Sequence, residues 1–252
     1  MESYLPVIWA AIMALAVAMY VILDGFDLGV GILFPVAETE HERDLMMNSV
    51  APFWDGNETW LVLGGAGMLV TFPLAYSIIL PALYLPVIIM LLALVFRGVA
   101  FEFRWTGMTG RRHWSFVFAA GSTLAAFCQG VILGGLIQGI KVENGAFAGG
   151  SFDWATPFAV VCGLGVVAGY GLLGATWLVM KTEGSVANRA KTEAKLLLLV
   201  VLAFMAIVSI WTPLAFELPA STANNSSLAW LLARLAISPS VFMRSHVAPS
   251  RP

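Results

Sequence analysis

Two pairs of acidic residues interrupt runs of apolar sequence. The first pair is Asp24 and Asp27, in Asp24-Gly25-Phe26-Asp27-Leu28-Gly29. The second is Asp55 and Glu58, in Pro52-Phe53-Trp54-Asp55-Gly56-Asn57-Glu58-Thr59-Trp60. Both pairs have i, i+3 spacing, which sets the two carboxyls of a pair on one helix face. An ionisable group inside a bilayer costs a few kcal/mol or more, so by default it marks a functional path. Desolvated carboxyls close together can take up and release protons, as a relay requires.

The elements that must hold these groups are apolar helices. The 252-residue chain is 60% hydrophobic and 11% charged, with mean hydropathy +0.87. Soluble domains carry about 25% charged residues. Apolar runs long enough to cross a bilayer lie near 6–33, 55–73, 76–97, 114–140, 155–180 and 194–214. A shorter run near 228–243 contains Arg234 and Pro239. The expected fold is an all-α polytopic bundle of six helices with a weaker seventh. Gly25 and Gly29, Gly64 and Gly67, Gly130 and Gly134, Gly135 and Gly139, and Gly165 and Gly169 suit close helix packing in lipid. Glu2 and the lack of Lys or Arg before the first run argue against a secretory signal, so that run is read as a retained helix.

Basic residues set the expected orientation. Arg43 lies between the first two runs; Arg97, Arg104, Arg111 and Arg112 follow the third; Lys181, Arg189, Lys191 and Lys195 follow the fifth. These links alternate with poorly basic ones, which predicts an external N-terminus and basic links in the cytoplasm. The two acidic pairs then gather at similar depth near the cytoplasmic side.

Structural roles compete with the relay. Asp55 can cap the second helix or sit in its first turn, and Glu58 can complete a capping box. Asp24 and Asp27 cannot be N-caps so deep in a helix; ion pairing with Arg43 or Arg97 is their main structural alternative. Arg97 and Arg104, flanking Phe101-Glu102-Phe103, are expected as cytoplasmic anchors or as ion-pair partners that hold the cluster. Most tryptophans suit interfacial belts, and Trp54 and Trp60 are candidates to line a quinone or partner groove. Cys128 and Cys162 lie in apolar runs and predict no disulfide. His41, His113 and His246 lie outside the strong apolar runs, so no metal or haem ligand is expected from this chain. A net charge of −2 argues against nucleic acid.

Three stretches together resemble subunit II of cytochrome bd-type quinol oxidases. They are Asp24-Gly25-Phe26-Asp27-Leu28-Gly29-Val30-Gly31; Arg43 with Asn48-Ser49-Val50-Ala51-Pro52-Phe53-Trp54-Asp55-Gly56-Asn57-Glu58-Thr59-Trp60-Leu61; and Phe96-Arg97-Gly98-Val99-Ala100-Phe101-Glu102-Phe103-Arg104. The resemblance runs to about residue 215, and the last two stretches look more like the cyanide-insensitive branch. It implies a non-haem subunit in a bacterial inner membrane, inactive alone. The partner would be subunit I, holding haem b and haem d, with quinol oxidised and dioxygen reduced to water. A small single-helix subunit, quinone and the lipid bilayer complete the expected partners. The resemblance also implies that acidic residues bring protons from the cytoplasm, with Asp24 and Asp55 the best matches. Some relatives carry His where Phe53 stands.

Family members have two four-helix halves. The expected division here is a first half over 1–140, an incomplete second half over 141–236 and an atypical polar tail over 237–252. The tail is read as the mark of a truncated or frameshifted gene product or of a partial sequence, with a genuinely shorter variant as the alternative. A proton-coupled transporter and a non-functional remnant are the alternative functional readings.

Overall fold

The structure, a computed structural model, describes residues 4–106 and 110–215. The weak run near 228–243 and the tail lie outside the described residues. Helix α1 (Leu5–Leu33) carries Pro6 in its first turn, where its missing N–H has no intrahelical partner to lose. It ends in a 3-10 turn over Phe34–Val36. Helix α2 (Glu40–Val50) follows in a stretch expected to be only a link. Thr39 caps it by accepting from the Glu42 N–H at 3.1 Å, and Glu42 accepts from the Glu38 N–H at 2.9 Å. Its charged sequence has no apolar run to betray it.

Helix α3 (Trp54–Thr71) matches the second run. The third run is divided into α4 (Pro73–Ala82) and α5 (Tyr84–Thr106), with the break at Leu83. Pro86 has no N–H to offer the Ala82 carbonyl four residues back, so the ladder loses a bond at the break. Helix α5 extends well past 97. Arg97 and Arg104 therefore belong to a helix and are buried, rather than lying in a link. Helix α6 (Arg111–Gln138) follows. A hairpin of β1 (Val142–Glu143) and β2 (Ala146–Phe147) pairs Val142 with Phe147 and Glu143 with Ala146. Its turn residues Asn144 and Gly145 both have positive φ, as a two-residue hairpin turn requires. Helix α7 (Pro157–Lys181) is capped by Thr156, which accepts from the Ala159 N–H at 3.2 Å. Helix α8 (Gly184–Ala215) begins before the expected 194.

Five of these helices, α1, α5, α6, α7 and α8, are long and apolar enough to cross a membrane. Helix α3 falls short of that measure because Asp55, Asn57 and Glu58 occupy its first turns. Helix α1 packs against α3, α6 and α7, and α5 through α8 pack in sequence. Gly29 makes the α1–α7 crossing: a Cβ there would collide with the Tyr170 carbonyl and the Gly174 backbone. Gly130 and Gly134 do the same for α6 against Cys162 and Ala159 of α7, whereas Gly65 faces open space. The two cysteines are free and buried. One end of the bundle holds α4 against β2. The other holds α2, the start of α6 and the α7–α8 link, and the acidic residues lie toward this second end.

Candidate proton-handling site

Asp24 and Asp27 point into the bundle and are buried, at 0% and 1% exposure. They have different partners. Arg97 of α5 donates from Nη1 to Asp24 Oδ1 at 2.8 Å, and Arg97 is itself 2% exposed. Asp27 Oδ2 accepts from Asn57 Nδ2 of α3 at 2.8 Å, and the same amide lies 3.4 Å from the Leu23 carbonyl oxygen. Asp24 Oδ2 and Asp27 Oδ1 are buried and accept no hydrogen bond from the described residues. One carboxylate thus faces a cation and its neighbour a neutral amide. The first arrangement is a buried salt bridge; the second has no salt bridge among the described residues.

The second acidic pair is graded in depth. Asp55 is exposed in the first turn of α3, where the helix dipole favours an anion. The N-cap is Phe53 and no side chain bonds there, so Asp55 is not the cap. Glu58 completes no capping box. It is half-buried and within electrostatic range of Arg97, Asp24 and Asp55. Asp27 in turn is within range of Glu58. Asp55, Glu58 and Asp27 therefore make a series from the exposed first turn of α3 to the buried face of α1.

The remaining candidates divide between this site and the α2 end. Arg43 pairs with Glu40 at 2.5 Å and donates to the Ala37 carbonyl at 2.8 Å, away from the acidic cluster. Arg104, fully buried, reaches Glu40 at 3.0 Å, Asp44 at 2.6 Å and Ser115 at 3.0 Å. It ties α2 to α5 and α6 rather than holding the relay. Glu102 is exposed and takes part in no ion pair among the described residues. Trp54 packs beside Phe101 with ring centroids 5.3 Å apart, filling the space between α3 and α5. Trp60 is half-buried and has no ring partner among the described residues. His41 lies on α2 and His113 in the first turn of α6. No group of three or more His, Cys, Asp or Glu side chains that could hold a metal occurs among the described residues.

At the α2 end, Arg189 of α8 binds Glu38 at 2.8 Å and Glu42 at 2.7 Å, and Ser185 donates to Glu42 at 2.7 Å. These donors, Ser185 first, then the Glu38 N–H and Arg189, hold the Glu42 carboxyl down at about 2. The sequence alone does not mark Asn57, because an amide between Asp55 and Glu58 is hidden by its charged neighbours.

The profile for cytochrome bd terminal oxidase subunit II matches residues 5–248, past the point where the motif resemblance ends. A probable cytochrome oxidase subunit 2 from Haemophilus influenzae is 32% identical over 217 residues, covering 83% of this chain and 57% of the relative. Cytochrome bd-I ubiquinol oxidase subunit 2 from Escherichia coli K12 is 30% identical, covering 81% and 56%. Cytochrome bd ubiquinol oxidase subunit 2 from Bacillus subtilis is 31% identical, covering 80% and 60%. The chain therefore spans little more than half the length of these relatives. A chain in the structure of bd oxidase from Geobacillus thermodenitrificans shares the fold, with TM-score 0.65 at 18% identity, covering 81% of this chain and 65% of that one. With its membrane-length helices, this chain is a multi-pass protein of the bacterial inner membrane, and it belongs to the cytochrome bd terminal oxidase subunit II family.

Proposed function

We propose that this chain is the non-haem membrane subunit of a bd-type quinol oxidase, supplying a cytoplasmic proton path and a scaffold for a haem-bearing subunit I. In this reading the haems b and d and the oxygen chemistry belong to the partner. This chain gathers protons at Asp55, passes them by Glu58 and holds them at Asp27, with water bridging where side chains do not touch. Asp24 and Arg97 form a fixed, neutralised pair that sets the local field and keeps α1 and α5 in register. The N-terminus lies outside, and the α2 end faces the cytoplasm.

The observation that carries the reading is the unequal pairing of Asp24 and Asp27, one turn apart. A purely structural cluster would neutralise both. Here one buried carboxyl is hydrogen-bonded to the cation Arg97 and the other to an amide, with Arg97 within electrostatic range of both. The assembly claim is tested by co-purification from a strain expressing a bd-type subunit I. A haem-bearing partner retained on this chain, and no Soret band when the chain is purified alone, supports the assignment. A stoichiometric Soret band from the chain alone contradicts it.

A further inference from the structure

A second polar network crosses the bundle beside the acidic site. Gln129 of α6 donates from Nε2 to the Tyr20 hydroxyl oxygen at 2.7 Å, and its Oε1 accepts from the Tyr170 hydroxyl of α7 at 2.6 Å. Tyr20 and Tyr170 are both 5% exposed, and Gln129 is half-buried. Three polar side chains from three helices thus meet between membrane-length apolar segments.

Donor and acceptor roles single out one free hydrogen. The Tyr170 hydrogen goes to Gln129, and the Tyr20 oxygen receives one from it. The Tyr20 hydrogen remains without an acceptor in this set, and a buried donor left unpaired is costly. Tyr20 precedes Asp24 by four residues on α1, so the two side chains share a face. The Tyr20 hydroxyl lies within electrostatic range of the Asp24 carboxylate. Asp24 Oδ2 is the oxygen that accepts nothing under strict geometry. The two unmatched groups, a hydroxyl hydrogen and a carboxylate oxygen, lie on one face of α1. The opposite orientation of the Gln129 amide would turn the Tyr20 hydrogen away and aim its lone pairs at an anion, which the Asp24 charge disfavours. Close packing holds the arrangement: a Cβ at Gly25 would lie 3.0 Å from the Tyr170 ring.

We propose that Tyr20, held by Gln129 and Tyr170, is the positioning donor to the second oxygen of Asp24. Asp24 then stays the fixed counter-ion of Arg97, while Asp27 carries the exchangeable proton. Asp24 receives Arg97 on one oxygen and Tyr20 on the other. The other charged groups facing this site are Asp27 on the same helix and Glu58 on α3. Helices α6 and α7 contribute the neutral Gln129 and Tyr170. The assignment of roles to Asp24 and Asp27 rests on the proton-path reading, whereas the Tyr20 hydrogen bond does not.

Infrared difference spectroscopy on the assembled oxidase separates the two. Asp24→Asn identifies the carboxylate stretch of Asp24 by its loss. That stretch is expected to shift in Tyr20→Phe and to shift in the same sense in Gln129→Leu, which frees the Tyr20 hydroxyl from its anchor. An unchanged stretch in both variants overturns the positioning role. The exchange-sensitive carboxyl C=O band is expected to vanish in Asp27→Asn and persist in Asp24→Asn; the reverse overturns the division of roles. If the stretch shifts as expected while Asp27→Asn leaves oxygen consumption at the wild-type rate, the positioning role stands and the proton path fails.

Discussion

Arg97 and Asp24 form a buried ion pair at 2.8 Å that joins α5 to α1 across 73 residues of sequence. Neither group has an exposed face from which water could replace the other. The pair brings net neutrality to a place where either charge alone would be costly.

That relationship makes the pair a matched unit. Removing one member strands a buried charge, at a cost of about 3–5 kcal/mol. Removing both in favour of apolar side chains is close to neutral. Arg97→Leu is therefore expected to lower unfolding stability in detergent by roughly that amount. The double variant Asp24→Leu with Arg97→Leu is expected to recover most of it. Equal losses in the single and double variants would show that the ion pair is not the source.

The α1–α7 crossing makes a second, sterically based prediction. A methyl at Gly29 meets backbone atoms of Tyr170 and Gly174, which no side-chain rotation can move. Gly29→Ala is expected to destabilise the chain by at least about 1–3 kcal/mol through overpacking. Gly65→Ala adds a methyl where nothing lies within 4 Å, so the isolated chain should keep or slightly gain stability. Thermal unfolding of the two variants side by side checks the contrast.

Acid should loosen the α2 end. Glu42 has its folded-state value lowered from 4.5 to about 2 by Ser185, the Glu38 N–H and Arg189. A depressed carboxyl contributes its stability above its unfolded value and loses it as pH falls toward the folded one. Its contribution is therefore full above about 4.5 and disappears by about 2. Glu42→Gln is expected to lower the neutral-pH unfolding temperature and to flatten its fall across that window. Hydrogen exchange in residues 184–193 should rise in the variant, because α8 is tied to α2 through Glu42.

Several elements of this fold stand out in the sequence, and the exceptions have physical causes. Asp24 and Asp27 are visible because carboxylates contrast with the apolar run around them. Helix α5 is longer than its run because Arg97 ends the hydropathy signal but not the helix; Asp24 neutralises it. The first turns of α8 are polar because Ser185 and Arg189 bind α2, so a search for apolar runs starts that helix late. Helix α2 has the charged composition of a link and is held by ion pairs rather than by an apolar face alone. The partners of Tyr20 and Tyr170 are 109 and 41 residues away, and nothing local marks them as partners. Asn57 is in plain view in its motif, yet only the packing of α3 on α1 shows that it meets Asp27.

The proton path is tested most directly by quinol-driven oxygen consumption in the assembled oxidase carrying Asp27→Asn, with Asp55→Asn alongside and haem spectra as the assembly control. Asp27 is buried and its role cannot be taken over by bulk water, whereas Asp55 is exposed at the mouth. Asp27→Asn is expected to slow turnover by about 10²-fold, the lower end of what a positioned proton-transfer group contributes, with haem content retained. Asp55→Asn should slow it measurably but less. Wild-type turnover in Asp27→Asn, with intact haem spectra, would contradict the account.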